Sequence, residues 1–269
     1  QLASAVAASE GTLAAPLLGK LRANLPRAMR GSSFSTTFDA RMIGDLTSVV
    51  VPEARLRGGN GATLLSLSRA QIALGGQGVP RFSGNLATGG EGLPQISGRM
   101  EQGGNGALEL RLAMREYSAG EARLAVPQLN VLQGRDGRLA LEGRALASGP
   151  LPGGSAQGMV LPIDGVISAG GAVTLWNGCR DIRFNRLEMS NLTLGRQSLT
   201  LCPPSGRPIL RYDNGGLQLA AGASRLDLAG ELAGTPLRLR SGAVGFAYPG
   251  TMAARDLDIT LGPAENAQR

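Results

Sequence analysis

The chain contains no histidine and only one lysine, Lys20. Without histidine, imidazole acid–base catalysis, the Ser-His-Asp triad and His-ligated zinc all fall away. Two cysteines, Cys179 and Cys202, are too few for a structural zinc site. Aromatic residues make up only 3% of the chain and Trp176 is the sole tryptophan, so a core built on large rings is not expected. The same scarcity removes the stacking platforms that single-stranded nucleic acid needs. No apolar run reaches the roughly 20 residues of a membrane-spanning helix, and no signal peptide is present. The glycine-rich stretches lack a Walker-type Gly-Lys-Ser/Thr and a strand-to-helix dinucleotide context, so they read as turns. Asp256 and Asp258 fall on one strand face and read as its solvated side. The expectation is a protein that is not an enzyme, with no catalytic residues, no metal and no cofactor.

Leucine and glycine are abundant, each occurring 41 times, and proline occurs 15 times. Leucines divided by glycine-rich breaks point to many short strands joined by tight turns. The net charge is +7, and apart from Lys20 the positive charge is arginine. These arginines are scattered along the chain, which suits a solvated surface with affinity for acidic membrane better than a nucleic-acid site. Gln1 opens inside what reads as a helix, so the chain is expected to be part of a longer polypeptide whose export signal or anchor lies upstream.

Residues 1–30 differ from the rest. Leu13, Leu17, Leu18, Leu21 and Leu25 share one helical face, with Lys20, Arg22, Asn24 and Arg27 on the other. Pro16 fits the first turn and Pro26 marks the expected stop. This amphipathic helix is expected to dock its leucines on a sheet or across a groove mouth.

Residues 31–269 change to period two. Leu108, Leu110, Leu112 and Met114 alternate with Glu109, Arg111, Ala113 and Arg115. Leu139/Leu141, Leu226/Leu228, Leu237/Leu239 and Leu257/Ile259/Leu261 repeat the pattern with polar or small residues between them. Each segment therefore has one apolar and one wet face, as in an antiparallel sheet covered on one side. Asn60-Gly61, Asn105-Gly106, Asp136-Gly137 and Asn214-Gly215 are hairpin signals, expected to form type I′ turns. Gly58-Gly59-Asn60-Gly61-Ala62 recurs as Gly103-Gly104-Asn105-Gly106-Ala107, but other turns do not keep the interval, so hairpin addition fits better than a fixed-period solenoid.

Cys179 and Cys202 flank a strand-like stretch from Ile182 to Leu201. In an exported protein they are expected to form a disulfide, worth about 3 kcal/mol for a loop near 20 residues; two free buried thiols are the alternative.

Cys179-Arg180-Asp181-Ile182-Arg183-Phe184, Leu199-Thr200-Leu201-Cys202-Pro203 and Gly206-Arg207-Pro208-Ile209 resemble the alphaproteobacterial branch of the YdbH family. So do Gly11-Thr12-Leu13-Ala14-Ala15-Pro16-Leu17-Leu18 and Lys20-Leu21. This family groups with the TamB- and AsmA-like envelope proteins. The resemblance implies a mainly β protein, an elongated and curled antiparallel sheet forming a taco-like β-groove, here with an N-terminal amphipathic helix. It implies a periplasmic location and an inner-membrane anchor, with phospholipid acyl chains as ligand and a small outer-membrane lipoprotein that extends the sheet by strand addition. Strand parity then assigns the groove lining to Leu108, Leu110, Leu112, Leu139, Leu141, Leu187, Met189, Leu192, Leu194, Leu217, Leu219, Leu226, Leu228, Leu237, Leu239, Leu257 and Ile259, with possible resets of register at Asn185-Arg186 and Ser190-Asn191. The rival readings are a structural or adhesive β-helix-like module, a carbohydrate-active enzyme and a fully packed sandwich.

Overall fold

The structure is a computed structural model that describes residues 11–44, 46–75, 81–103, 106–213 and 215–263. It is mainly β, with one antiparallel sheet of many strands that is not closed into a barrel, and a helix at the N-terminal side. The helix α1 spans Ala14–Met29. Pro26 lies inside it and does not end it, which corrects the expected stop. The helix gives up the bond that an N–H at 26 would make to the Arg22 carbonyl, and the chain leaves instead at Gly31, which adopts positive φ. The start expected at Gln1 falls outside the described residues. Two compact units divide between Gly143 and Arg144, with residues 11–13 grouped in the second.

The first unit is a meander. β1 (Ser33–Ile43), β2 (Leu46–Arg57), β3 (Thr63–Gly75), β4 (Arg81–Thr88), β5 (Ile96–Gln102), β6 (Leu108–Ala119) and β7 (Ala122–Gln133) each pair antiparallel with the next. The beginning of β8 (Leu139–Leu151) follows, and a Cβ on its Gly143 would meet the backbone of Gln128 and Leu129 on β7. The Asn60-Gly61 and Asp136-Gly137 turns are not type I′. At Gly58–Ala62 only Gly61 has positive φ; the Gly58 N–H donates to the Ala62 carbonyl at 2.9 Å and the Gly61 N–H to the Gly58 carbonyl at 2.8 Å. This is a type I turn closed by a glycine bulge. The same bonds recur at Gly103–Ala107 and Gly134–Arg138, so the faint sequence repeat is a repeated turn. Asn105 and Asn214 lie outside the described residues.

The second unit divides each crossing of the sheet into shorter strands. Along β9 (Gly154–Ile167) run β10 (Val173–Leu175), β11 (Arg180–Phe184) and β12 (Arg186–Met189) in succession. β13 (Leu192–Leu194), β14 (Gln197–Leu201) and β15 (Leu210–Asp213) return along them. β16 (Gly216–Ala223) pairs with β15 and β19 (Val244–Tyr248), and β19 in turn with β20 (Met252–Ala254); β17 (Leu226–Leu232) pairs with β13 and β18 (Thr235–Ser241), and β18 in turn with β21 (Asp258–Leu261). The breaks reset parity. Ile182 and Phe184 give way to Leu187 and Met189 across exposed Asn185-Arg186, and Leu192 and Leu194 give way to Leu199 and Leu201 across exposed Gly195-Arg196. Ser190 instead sits in a tight turn at φ 52°. Asp256, at φ 50°, precedes β21, so it does not share a continuous strand with Asp258.

Candidate functional site

Residues directly opposite in an antiparallel pair share a face. In the first unit, register therefore joins strand alternation into one surface. Thr36, Ala54, Leu67, Leu86, Gly98, Leu112 and Leu129 form one row from β1 to β7. Beside it Gly84, Met100, Leu110 and Val131 form a second. Phe34, Leu56 and Leu65 on β1–β3, with Ile96, Met114 and Val126 on β5–β7, lie to one side. Leu108, between Gln102 and Gln133, lies to the other. The Gly134–Arg138 turn carries the face onto Leu139 and Leu141 of β8. Glycine has a packing role within it. A Cβ on Gly98 would lie 2.5 Å from both the Arg111 carbonyl and Leu112 Cδ2, so the leucine leans across the space the glycine leaves.

This face has no packed second layer over it. Among the described residues no large side chain is fully buried. Leu108, Leu110, Leu112, Leu139 and Leu141 are all half-buried, and Phe34, Phe38 and Met42 on β1 are 68%, 66% and 76% exposed. A sandwich core would bury such side chains almost completely.

The opposite face carries the charge. Glu53/Arg55, Arg99/Glu101 and Glu109/Arg111 are ion pairs between residues two apart on one strand, hence on one face. Arg99 stands opposite Arg111 and Glu101 opposite Glu109, so each like-charge contact is relieved by a partner along its own strand. The hydrogen bond to Glu109 holds the Arg111 guanidinium above its ordinary pKa. A hollow of about 590 Å³ is lined by polar and charged Gln71, Arg81, Ser83, Arg99, Glu101 and Glu109 together with apolar Phe82 and Leu132.

In the second unit the remaining expected residues fall into two ladders. One joins Met189 to Leu192, Leu187 to Leu194, and Leu228 to Leu239 and Ile259. Leu237 of this ladder faces Gly230 and Leu261, and Leu226 faces Ser241. The other places Leu217 opposite Tyr212 and Leu219 opposite Leu210 and Tyr248. Leu194 and Leu237 are buried, while Met189, Leu217 and Ile259 are exposed. Leu257 precedes β21 and is 53% exposed, so it does not alternate within a strand as expected. Cys179 and Cys202 are joined by a disulfide. They prolong the register of β11 and β14, in which Arg180 faces Leu201.

The sequence reading missed the apolar positions of β1–β5. In β2 and β3 the reason is a pair of bulges. The β1–β2 register shifts between Thr37 and Asp39, and the β3–β4 register between Ser68 and Gln71, where Arg69 takes φ 52°. Each inserted residue moves the apolar set to the other parity, and Ser and Thr interrupt the rest. The spacing Phe34, Phe38, Met42 was the available signal.

A family described as "YdbH-like: Intermembrane phospholipid transport protein YdbH" matches residues 1–269. The chain belongs to the YdbH-like family. No curated protein and no solved structure matches it. Membership in the YdbH-like family implies intermembrane phospholipid transport, a task for which an uncovered apolar face on a charged sheet is chemically suited. Among the described residues no helix is long and apolar enough to cross a membrane, and no cluster of acidic or cysteine side chains could hold a metal ion.

Proposed function

We propose that this chain is one section of a periplasmic bridge that carries phospholipids between the inner and outer membranes, their acyl chains lying along the apolar sheet face. The observation that carries the reading is the leucine, methionine and phenylalanine surface of β1–β7 and the start of β8, half-buried to exposed, which no second layer covers. Each methylene withdrawn from water is worth about 0.8 kcal/mol, so an acyl chain and this face gain by covering one another. In this reading residues 31–269 form the groove section, its sheet elongated and curled as in the family, and residues 1–30 a helical segment at its margin. Of the seventeen lining positions expected from parity, buried Leu194 and Leu237 back the surface and the other fifteen serve as contacts for lipid. The anchor lies in a segment upstream, and a small outer-membrane lipoprotein extends the sheet by strand addition. A β-helix-like adhesive module is disfavoured because every strand pairing among the described residues is antiparallel, with no parallel coils there to stack. The test is native mass spectrometry of the protein purified from membranes. Phospholipid adducts that survive gentle activation are expected; a chain recovered free of lipid under those conditions argues against the groove.

A further inference from the structure

The helix α1 crosses three successive strand connections at one end of the first unit's meander. The Lys20 ammonium donates to the Ser118 carbonyl at 2.7 Å near the end of β6 and sits 5.0 Å from the centre of the Tyr117 ring. Asn24 packs where a Cβ on Gly92 would stand, in the β4–β5 connection, and the Tyr117 hydroxyl donates to the Gly92 carbonyl at 2.9 Å. The Gly59 N–H of the β2–β3 turn donates to the Arg30 carbonyl at 3.1 Å. At a rise of 1.5 Å per residue, sixteen residues reach about 24 Å, enough to pass over the ends of six strands about 4.8 Å apart. Tyr117 pairs with Leu124, and the register from Val126 opposite Met114 puts both on the apolar face. The helix is thus a rim beside the lipid surface, with Leu17 turned inward and buried.

Its outward side is cationic without relief. Residues 11–31 contain Lys20, Arg22, Arg27 and Arg30 and no carboxylate. Residues 32–143 hold eleven arginines against ten carboxylates, so the sheet of this unit is close to neutral and its charge excess sits on the helix. Arg22, Arg27 and Arg30 are exposed, and no carboxylate is recorded within ion-pair distance of them among the described residues. Arg27 and Arg30 offset the helix C-terminal dipole, but Arg22, mid-helix, has no such task.

We infer that this rim binds the phosphate headgroups of phospholipids whose chains lie on the adjacent apolar face, and selects net-anionic headgroups over zwitterionic ones. The inference rests on the groove reading above. Each arginine near an anionic lipid surface is worth about a fivefold preference, and screening confines the effect to about 8 Å at physiological salt.

The test compares the full-length protein with its Arg22→Gln/Arg27→Gln/Arg30→Gln variant, both purified from membranes. Bound lipid is read as the ratio of anionic to zwitterionic phospholipid, relative to the ratio in the source membrane. The native protein should be enriched about fivefold or more in anionic lipid, and the variant should fall to the membrane's ratio with total bound lipid unchanged. Arg41→Gln/Arg81→Gln/Arg138→Gln removes equal charge from the sheet and should leave the enrichment intact. If the helix variant fails to fold, the native protein equilibrated with mixed anionic and zwitterionic vesicles in 1 M salt, where the screening length is about 3 Å, should lose the preference. Equal enrichment in the helix variant, or equal loss in both variants, overturns the inference. So does loss of binding to anionic vesicles with an unchanged bound-lipid ratio, which makes the rim a membrane-docking surface. A native protein carrying no lipid at all refutes the groove reading instead.

Discussion

Leu110 gives the most direct test of transport along the apolar face. It lies mid-strand on β6 between Met100 of β5 and Val131 of β7, and it is half-buried. Its partial exposure matters, because an arginine there can reach water in the empty protein and the sheet should persist. A lipid passing over that arginine meets a charge in the middle of its hydrocarbon path. Placing Arg or Asp at the centre of a membrane helix costs about 2.5–3.5 kcal/mol, and a barrier of that size slows passage by about a hundredfold. Ala113→Arg is the matched control, since Ala113 pairs with Ser97 on the opposite face of the same two strands. The assay is outer-membrane phospholipid supply in cells lacking redundant transporters, with each variant expressed at native level. Leu110→Arg should block supply and Ala113→Arg should not. Normal supply with Leu110→Arg, or an equal block from Ala113→Arg, would refute the assignment of this face to lipid.

Three further outcomes are expected. Protein recovered without reductant should show no alkylatable thiol by intact mass, because Cys179 and Cys202 are joined; two reactive thiols would contradict the bond. Leu17, only 5% exposed, should not tolerate a carboxylate: Leu17→Asp should cost at least about 2–5 kcal/mol in a denaturant melt, and an unchanged midpoint would mean the helix is not docked. The Asp227 carboxyl is held below the ordinary carboxylate range, first by the Arg238 hydrogen bond and then by the charges of Arg238 and Arg240. A depressed folded-state pKa adds stability that is complete above the unfolded value of about 3.9 and is lost as pH falls through the folded value. Carboxyl NMR should therefore show Asp227 titrating late in acid, and Arg238→Gln should move it upward; identical titration in both proteins would remove the ion pair from the account.

The antiparallel sheet was legible because period two survives wherever a strand is regular, as from Leu108 to Met114. Ion pairs two residues apart, such as Arg99/Glu101, follow from the same alternation. What sequence could not supply was parity across a bulge. The shift between Ser68 and Gln71 moves the apolar set from Leu65 and Leu67 to Ala70 and Ile72, and no local pattern announces it. The turns misled in another way. Asparagine-glycine suits type I′, but at Gly58–Ala62 the chain closes a five-residue loop with one left-handed residue, and the same bonds form at Ser168–Ala172, where serine stands in the place of Gly58. Pro26 was read as a stop because proline breaks helices in general; here the helix simply continues one turn beyond it.

Among the described residues of the first unit, β1–β7 each pair only with their neighbours in sequence. Such a topology has little loop-closure entropy to overcome, since each new strand needs only the one before it as a template. Hairpin formation takes microseconds, whereas synthesis adds residues at about 5–20 per second. The sheet can therefore assemble in order from its N-terminal end as the polypeptide emerges. Until the next strand arrives, the growing edge is a row of unsatisfied backbone groups flanked by apolar side chains, which makes the newest strand, rather than any finished part of the sheet, the point most exposed to aggregation.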